Sequence, residues 1–465
     1  PPAGGMGTEA SSIGQRRSSL HGHWSSRAAF ILAVTGSAVG LGNIWKFPYI
    51  TGENGGGAFV LLYLGCVFAV GMPILVSEVL LGRRGRRNPI ATMAILGQEE
   101  GGSRHWRLVG TMGVITGLLI LSFYSVIAGW SLAYALKSAV GSFAGTDARS
   151  AAIEFFTFTG NWKALLAWHA VFMAMTVFVV AAGVQHGLER AVRVLMPLLV
   201  VMLLVLVAYS ARYGAFEETL VYLFKPDFSE LSGESMLIAL GHCFFTLSIG
   251  MGVVMAYGAY LPEGTSIAAS SLTVVLADTV IALLAGMAVF PLVFGNGLNP
   301  AEGPGLVFET LPIAFGQLPA GSVFGTVFFL LLTFAAWTSA IGLLEPAVAW
   351  IVERHQRSRV VGALVVGGLT WLMGLATVLS FNVLSDLRFG RGTLFQNIDF
   401  LASNILLPAS ALLITVFAGW IMCRNSSSEE LAMGSGLLYK GWRLLSRVVA
   451  PLAIIVIAFR AVGVI

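Results

Sequence analysis

Eleven apolar segments, each long enough to cross a bilayer, leave this chain few folds to choose from. They fall at about 27–48, 57–82, 107–136, 163–183, 190–212, 235–260, 268–295, 322–352, 359–380, 394–422 and 441–462. A spanning helix needs roughly 20 apolar residues. In hydrocarbon the backbone must satisfy its own polar groups, so long continuous segments are helices. Strand-type alternation is absent, which argues against a β-barrel. Only 11% of the 465 residues are charged, about half the share of a soluble protein. A soluble enzyme, a disordered chain and a nucleic-acid binder are therefore poor fits. The 55 glycines suit membrane helices better than soluble ones. The expected class is an all-α polytopic membrane protein with 11 transmembrane helices.

The loops predict an orientation. Basic residues cluster at Arg83, Arg84, Arg86 and Arg87, at His186, Arg190 and Arg193, at Arg354, Arg357 and Arg359, and at Lys440 and Arg443. With alternating spans these all lie on one side. The opposite loops are poor in Lys and Arg: 141–161 holds only Arg149, and 294–321 holds none. The positive-inside rule places the N-terminus in the cytoplasm and, with an odd span count, the C-terminus outside. The net charge of +4 belongs to those inner loops, not to a nucleic-acid partner. Cys66, Cys243 and Cys423 have no metal-ligand spacing and read as small apolar residues. The first apolar stretch is too long for a cleavable signal. Residues 1–23 read as a flexible cytoplasmic tail.

Two segments contain sequence that a lipid-exposed helix avoids. The first carries Gly36-Ser37-Ala38-Val39-Gly40-Leu41-Gly42-Asn43; the sixth carries Thr246-Leu247-Ser248-Ile249-Gly250-Met251-Gly252. Each glycine weakens a helix by about 1 kcal/mol relative to Ala. Either run alone could be a close-packing face. Their positions, first and sixth, match a five-plus-five repeat, and paired interrupted helices mark a transporter's central site. Half-helix N-termini favour an anionic group and freed carbonyls favour a cation. The ligands expected are a carboxylate-bearing molecule and Na⁺ or H⁺. Thr338-Ser339 in the eighth segment could supply oxygen ligands, or simply bond back to their own helix. Glu78, Asp278 and Glu345 lie within apolar helices, where a charge costs about 2.5–3.5 kcal/mol. Asp278 is the sharpest functional candidate; Glu78 and Glu345 read equally well as hydrogen-bond anchors.

These motifs resemble the neurotransmitter:sodium symporter family. The matching residues are Trp24-x-x-Arg27, the run Gly36–Asn43 followed by Ile44-Trp45-Lys46-Phe47-Pro48-Tyr49, and Glu53-Asn54-Gly55-Gly56-Gly57-Ala58-Phe59. They continue with Gly71-x-Pro73, Glu78, Gly82-Arg83, Tyr124, Trp130 and Phe244–Ser248. Ala256-Tyr257, Tyr260, Thr338-Ser339-Ala340 and Glu345-Pro346 complete the set. The resemblance covers nearly the whole chain. It implies the LeuT fold, with inverted five-helix repeats at 24–213 and 234–425, discontinuous first and sixth helices, and an accessory helix at 439–465. It also implies Na⁺-coupled uptake of amino acids across a bacterial inner membrane, with no enzymatic activity and no obligate protein partner.

Carried over by position, a first Na⁺ site uses the Ala38 carbonyl, Asn43, Thr246 and Asp278. A second uses the Gly36, Val39 and Ala335 carbonyls with Thr338 and Ser339. The substrate carboxylate meets backbone N–H groups at Gly40–Gly42 and the Tyr124 hydroxyl. Its amine meets carbonyls of Ala38, Phe245 and Thr246, and the Ser248 region. Its side chain lies among Ile120, Phe123, Phe245, Met251, Ser339 and Leu343. Monoamine carriers of the family have Asp where this chain has Gly40, so an intact α-amino acid is implied. The uncharged pocket and the adaptable Met251 between two glycines imply aliphatic and aromatic L-amino acids.

Three departures stand out. The external gate pairs Lys46, in place of Arg, with Asp399; Lys lacks the bidentate fork. The cytoplasmic gate, with Tyr260 and Glu353, normally has an Arg shortly before Trp24. Here His21 and His23 occupy that stretch, so Arg16, Arg17 or Arg27 are the candidates opposite Glu353. Finally, Asp278 and His242 stand where chloride-dependent relatives have Asn and Gln. Asp278 would replace the chloride charge and carry a proton outward after Na⁺ release. In the fifth segment, Gly187 and Pro197 are spaced for local unwinding, or for an ordinary kink. A sensor or channel-like protein on the same scaffold is the alternative function.

Overall fold

The computed structural model describes residues 17–300, 305–434 and 436–461. Among them, nine unbroken helices are long and apolar enough to span a membrane. They are Gly57–Gly85, Arg104–Ala139, Trp162–Ala181, Val184–Tyr213, Ile267–Gly295, Gly321–His355, Arg359–Ser380, Leu394–Ile421 and Leu437–Arg460. The other two spans are broken. Arg27–Ala38 and Gly42–Glu53 form one span bent by 50°. Gly233–Thr246 and Val253–Ala259 flank the second break. The total of eleven matches the expected number, and the two breaks fall in the first and sixth spans.

The pairing of spans shows why the breaks correspond. The second span packs on the sixth and the seventh on the first. The third packs on the eighth, and the fourth on the ninth. Exchanging each of the first five spans for the one five later maps this pattern onto itself. An odd offset reverses direction, so the two halves are inverted. The third and eighth spans are the most buried of the unbroken nine; the fifth and eleventh are among the least. A polar-free surface suffices for the outer spans, because lipid is their solvent.

One end of the bundle, termed the tail end here, carries residues 17–26, the Arg83–Arg87 turn and two short helices. Those helices are Pro89–Gly101 and Arg424–Leu431. The far end carries helices Ala148–Gly160, Phe216–Phe224 and Leu311–Gln317. Residues 1–16 of the expected tail lie outside the described residues, as do 462–465 of the expected accessory helix.

Candidate functional site

The first break is short. Helix Arg27–Ala38 ends at Val39, whose backbone is extended (φ −72°, ψ 102°). Gly40 is needed there for space: a Cβ would collide with the Ser339 and Tyr124 hydroxyl oxygens. The sixth-span break is wider. Ser248, Gly250 and Gly252 all have positive φ, at 52°, 79° and 75°, which is costly for any side chain except at glycine. The Gly250 N–H donates to the buried Glu78 carboxylate. Glu78 thereby anchors backbone that the helix leaves unpaired; at this depth such backbone is tolerated only where protein or water supplies a partner. Freed carbonyls are also used. Ser339 donates to the Ser37 carbonyl at 2.9 Å and to that of Val39 at 3.4 Å. Ser248 donates to the Ser37 carbonyl at 2.9 Å.

The two breaks face each other across a small cavity. It is lined by Ser37, Ala38, Gly40, Gly42, Ile120, Tyr124, Phe245, Ser248, Met251, Ser339 and Leu343. Ten of the twelve expected substrate residues are there. The Tyr124 hydroxyl accepts from the Leu41 N–H at 3.0 Å, so it marks where a carboxylate would meet the half-helix. Phe123 is not in the lining. It is turned by about 100° from Tyr124 on the helix and packs edge-on against Phe395, 5.6 Å between ring centres. Thr246 is the other exception, since its hydroxyl points into the acid cluster beside the cavity. Ser37 is a lining residue the sequence reading missed, although it lies inside the Gly-rich run.

In that cluster, four fully buried side chains converge. Asn43 donates its amide to Asp278 Oδ1 at 2.8 Å. The Thr246 hydroxyl lies 3.2 Å from both Asp278 carboxylate oxygens and from Asn43 Oδ1. The Tyr63 hydroxyl donates to Asp278 Oδ2 at 3.4 Å. The Gly40 N–H donates to Asn43 Oδ1 at 3.2 Å, which links this cluster to the first break. A carboxylate, an amide oxygen and a hydroxyl within mutual reach form a hard-oxygen set of the kind a small cation takes. His242 stacks on Phe47, with 6.0 Å between ring centres, and tilts against Tyr63 at 5.3 Å. Neither of its ring nitrogens has a partner among the described residues.

The second expected ion set is also local. The Thr338 hydroxyl donates to its own helix, to the Phe334 carbonyl at 3.2 Å and the Ala335 carbonyl at 3.0 Å. Here the back-bonded alternative describes the geometry. Gly36 lies against it, since a Cβ at Gly36 would stand 3.4 Å from Thr338 Cβ. Gly36, Val39, Ala335, Thr338 and Ser339 thus share one seam between the first and eighth spans. Toward the tail end, Ser25 donates its N–H to Glu189 at 2.9 Å, and Pro197 lies inside helix Arg190–Tyr213.

The gates differ from expectation. Lys46 does not pair with Asp399. Its ammonium sits 4.9 Å from the centre of the Phe245 ring, an attraction between cation and ring face. Asp399 instead accepts from the Ser403 hydroxyl one turn away, at 2.8 Å. At the tail end, Glu353 is met by His21 Nε2 at 3.0 Å and by the Asn88 N–H and side-chain amide at 2.8 and 2.6 Å. The arginines go elsewhere: Arg17 to Glu99 and Arg27 to Ser270; Arg16 lies outside the described residues. Trp24 donates its backbone N–H to the Tyr260 carbonyl at 2.9 Å and its indole N–H to that of Tyr257 at 3.0 Å. The Tyr260 hydroxyl donates to Glu345 at 2.7 Å, and Glu345 also pairs with Arg359. The role of Asn88 left no signal in the sequence beyond its helix-capping position before Pro89.

The chain matches the Sodium:neurotransmitter symporter family over residues 21–153 and 152–464. It is 40% identical over 444 residues to an uncharacterized sodium-dependent transporter, YhdH, of Bacillus subtilis, covering 95% of this chain and 98% of that one. A second uncharacterized sodium-dependent transporter, from Haemophilus influenzae, is 32% identical and covers 93% of this chain and 96% of its own length. The crystal structure of MhsT in complex with L-phenylalanine superposes with a TM-score of 0.87 at 40% identity. It covers 95% of this chain and 99% of that one.

Proposed function

The chain belongs to the sodium:neurotransmitter symporter family, and from that membership we propose that it imports hydrophobic L-amino acids by alternating access. Membership makes it a multi-pass sodium-coupled transporter with the LeuT fold. The observation that carries the finer reading is the cavity between the two breaks, with a buried carboxylate cluster joined to its backbone. The cavity's side-chain end is apolar and uncharged: Ile120, Phe245, Met251 and Leu343. That composition favours aliphatic and aromatic substrates, and MhsT is a relative seen with L-phenylalanine. As it stands the cavity takes about one water, so a substrate enters only if Phe245 swings away beneath Lys46.

Two sodium ions fit the reading. One is held by the Ala38 carbonyl, Asn43, Thr246, Asp278 and the substrate carboxylate. The other lies in the seam of Gly36, Val39, Ala335, Thr338 and Ser339, after Thr338 turns from its own helix. Asp278 supplies the negative charge while sodium is bound, so transport needs no chloride, and its protonation after sodium release returns a proton outward. The basic tail end faces the cytoplasm of a bacterial inner membrane, and His21, Trp24, Tyr260 and Glu353 close it. The far-end gate is built from Lys46, Phe245 and Asp399. Repeats at 24–213 and 234–425 move against each other, and the eleventh span accompanies them.

Proteoliposome uptake tests this. Phe, Trp, Leu and Ile should accumulate only with an inward sodium gradient, equally in chloride and gluconate, and faster against an acidic interior. Saturable uptake restricted to Gly, GABA or a monoamine would overturn the substrate assignment. Flux without a sodium gradient would favour a channel.

A further inference from the structure

A second and much larger cavity lies far from the substrate site. It is a groove of about 1680 Å³ at the tail end, between the second, seventh and eleventh spans and helix Arg424–Leu431. Its wall along the second span runs from Phe68 to Arg84. Sixteen residue steps along a helix cover about 24 Å, close to one leaflet with its headgroup layer, half of about 40–45 Å. The deep part is apolar, with Phe68, Val76, Leu272 and Leu445. The mouth is charged; in the deep part the buried Trp442 indole N–H donates to the Pro73 carbonyl at 3.2 Å.

The charges select the headgroup. Arg17 and Arg84 reach the mouth with 31% and 24% of their side chains exposed. Each already has a carboxylate: Arg17 pairs with Glu99, and Arg84 with Glu100 at 3.2 Å. Arg83 pairs with Glu430. Four arginines and five glutamates line the groove, so a purely anionic headgroup would meet a rim with one excess negative charge. Glu429 is exposed, and no described residue bonds its carboxylate. A fitting ligand therefore brings both signs and N–H donors. We propose that this groove is a binding site for a phospholipid with a primary-amine headgroup, phosphatidylethanolamine. Its phosphate meets Arg17 and Arg84, its ammonium meets Glu429 and Glu99, and one acyl chain lies along the second span. The cytoplasmic orientation of the tail end enters only in assigning the lipid to the inner leaflet.

Native mass spectrometry of the full chain tests this with dioleoyl phosphatidylethanolamine, phosphatidylcholine or phosphatidylglycerol added separately at equal concentration. Charge-assisted hydrogen bonds to the amine predict an ethanolamine adduct about tenfold stronger than the choline one. Arg84→Gln should weaken phosphatidylethanolamine binding by a similar factor. Gly441 lines the groove, and a Cβ there has nothing within 4 Å. Gly441→Leu therefore fills space without collision and favours the helix, so it serves if Arg84→Gln fails to fold. It should remove the adduct while leaving sodium-driven uptake. Equal binding of the three lipids, a preference for phosphatidylglycerol, or an undiminished adduct in Gly441→Leu would overturn the site. Sodium-driven uptake is read separately, so failure of the lipid site leaves the transport reading standing.

Discussion

Asp278→Asn keeps the shape of the buried cluster and removes its one formal charge. In the wild type the carboxylate takes Asn43 at 2.8 Å, Thr246 at 3.2 Å and Tyr63 at 3.4 Å. These neutral donors surround the charge, and no cation of this chain bonds it among the described residues. A sodium ion within about 4 Å would gain about 4 kcal/mol at an effective dielectric near 20. The amide retains an oxygen ligand, so the variant should lose only part of this. A charge-assisted contact is worth about 1.5–3 kcal/mol, or roughly 10–150-fold in sodium half-saturation. The assay is sodium-dependent binding of labelled Phe to purified protein, in gluconate and in chloride. The variant should shift to higher sodium in gluconate and recover partly in chloride, because a free anion can replace the missing charge. Proton efflux during uptake should also stop. An unchanged sodium curve with full chloride-free coupling would refute the role of Asp278.

Three further outcomes are expected. Gly40→Ala forces a Cβ onto the Ser339 and Tyr124 oxygens. Overpacking of about 1–3 kcal/mol should weaken Phe binding roughly 5–150-fold in a direct binding titration, with little loss of folded protein. Glu353→Gln leaves His21 and the two Asn88 donors facing a neutral amide. The tail end should then open more often, read as faster labelling of a cysteine placed at Ser25, and His21→Ala should act in the same direction. Glu100, in helix Pro89–Gly101, concerns stability. Burial raises its proton affinity, but the Ser426 hydroxyl, the Cys423 N–H at 3.0 Å and Arg84 outweigh it and hold the carboxyl below its ordinary range. A depressed folded-state value gives stability that is present above the ordinary carboxylate range and lost as pH falls through the folded value. Glu100→Gln should lower the melting temperature at neutral pH by the equivalent of under about 1 kcal/mol, given its partial exposure. That gap should close as pH falls below the ordinary carboxylate range and through the depressed folded value; a gap unchanged at acidic pH would count against it.

The span count and the two breaks could be read from the chain because their causes are local. Apolar length is set by bilayer thickness, and glycine runs lower helix stability wherever they occur. The cavity lining came from the resemblance: Ile120 and Tyr124, four positions apart, share one helix face and line the cavity, whereas Phe123, one position off, lies outside the lining. The resemblance then named Asp278, Asn43 and Thr246 together, which composition alone would have left as three isolated polar residues.

What the tertiary structure decided were choices between partners of similar chemistry. Glu353 had several cations within chain reach, and only the path of residues 17–26 under the sixth span brings His21 to it. Lys46 had a carboxylate and an aromatic ring to choose from, and the bend in the first span sets it over Phe245. Glu345 pairs with Arg359 because a tight turn joins the eighth and ninth spans and both side chains reach the same buried seam. The groove beside the eleventh span is assembled from residues more than 300 positions apart, such as Arg84 and Ser426. Apolar length is a property of a single segment, so the number of bilayer crossings is already written along the chain. Pairing of charges and the shape of cavities depend on distances between segments, and those exist only once the helices have packed.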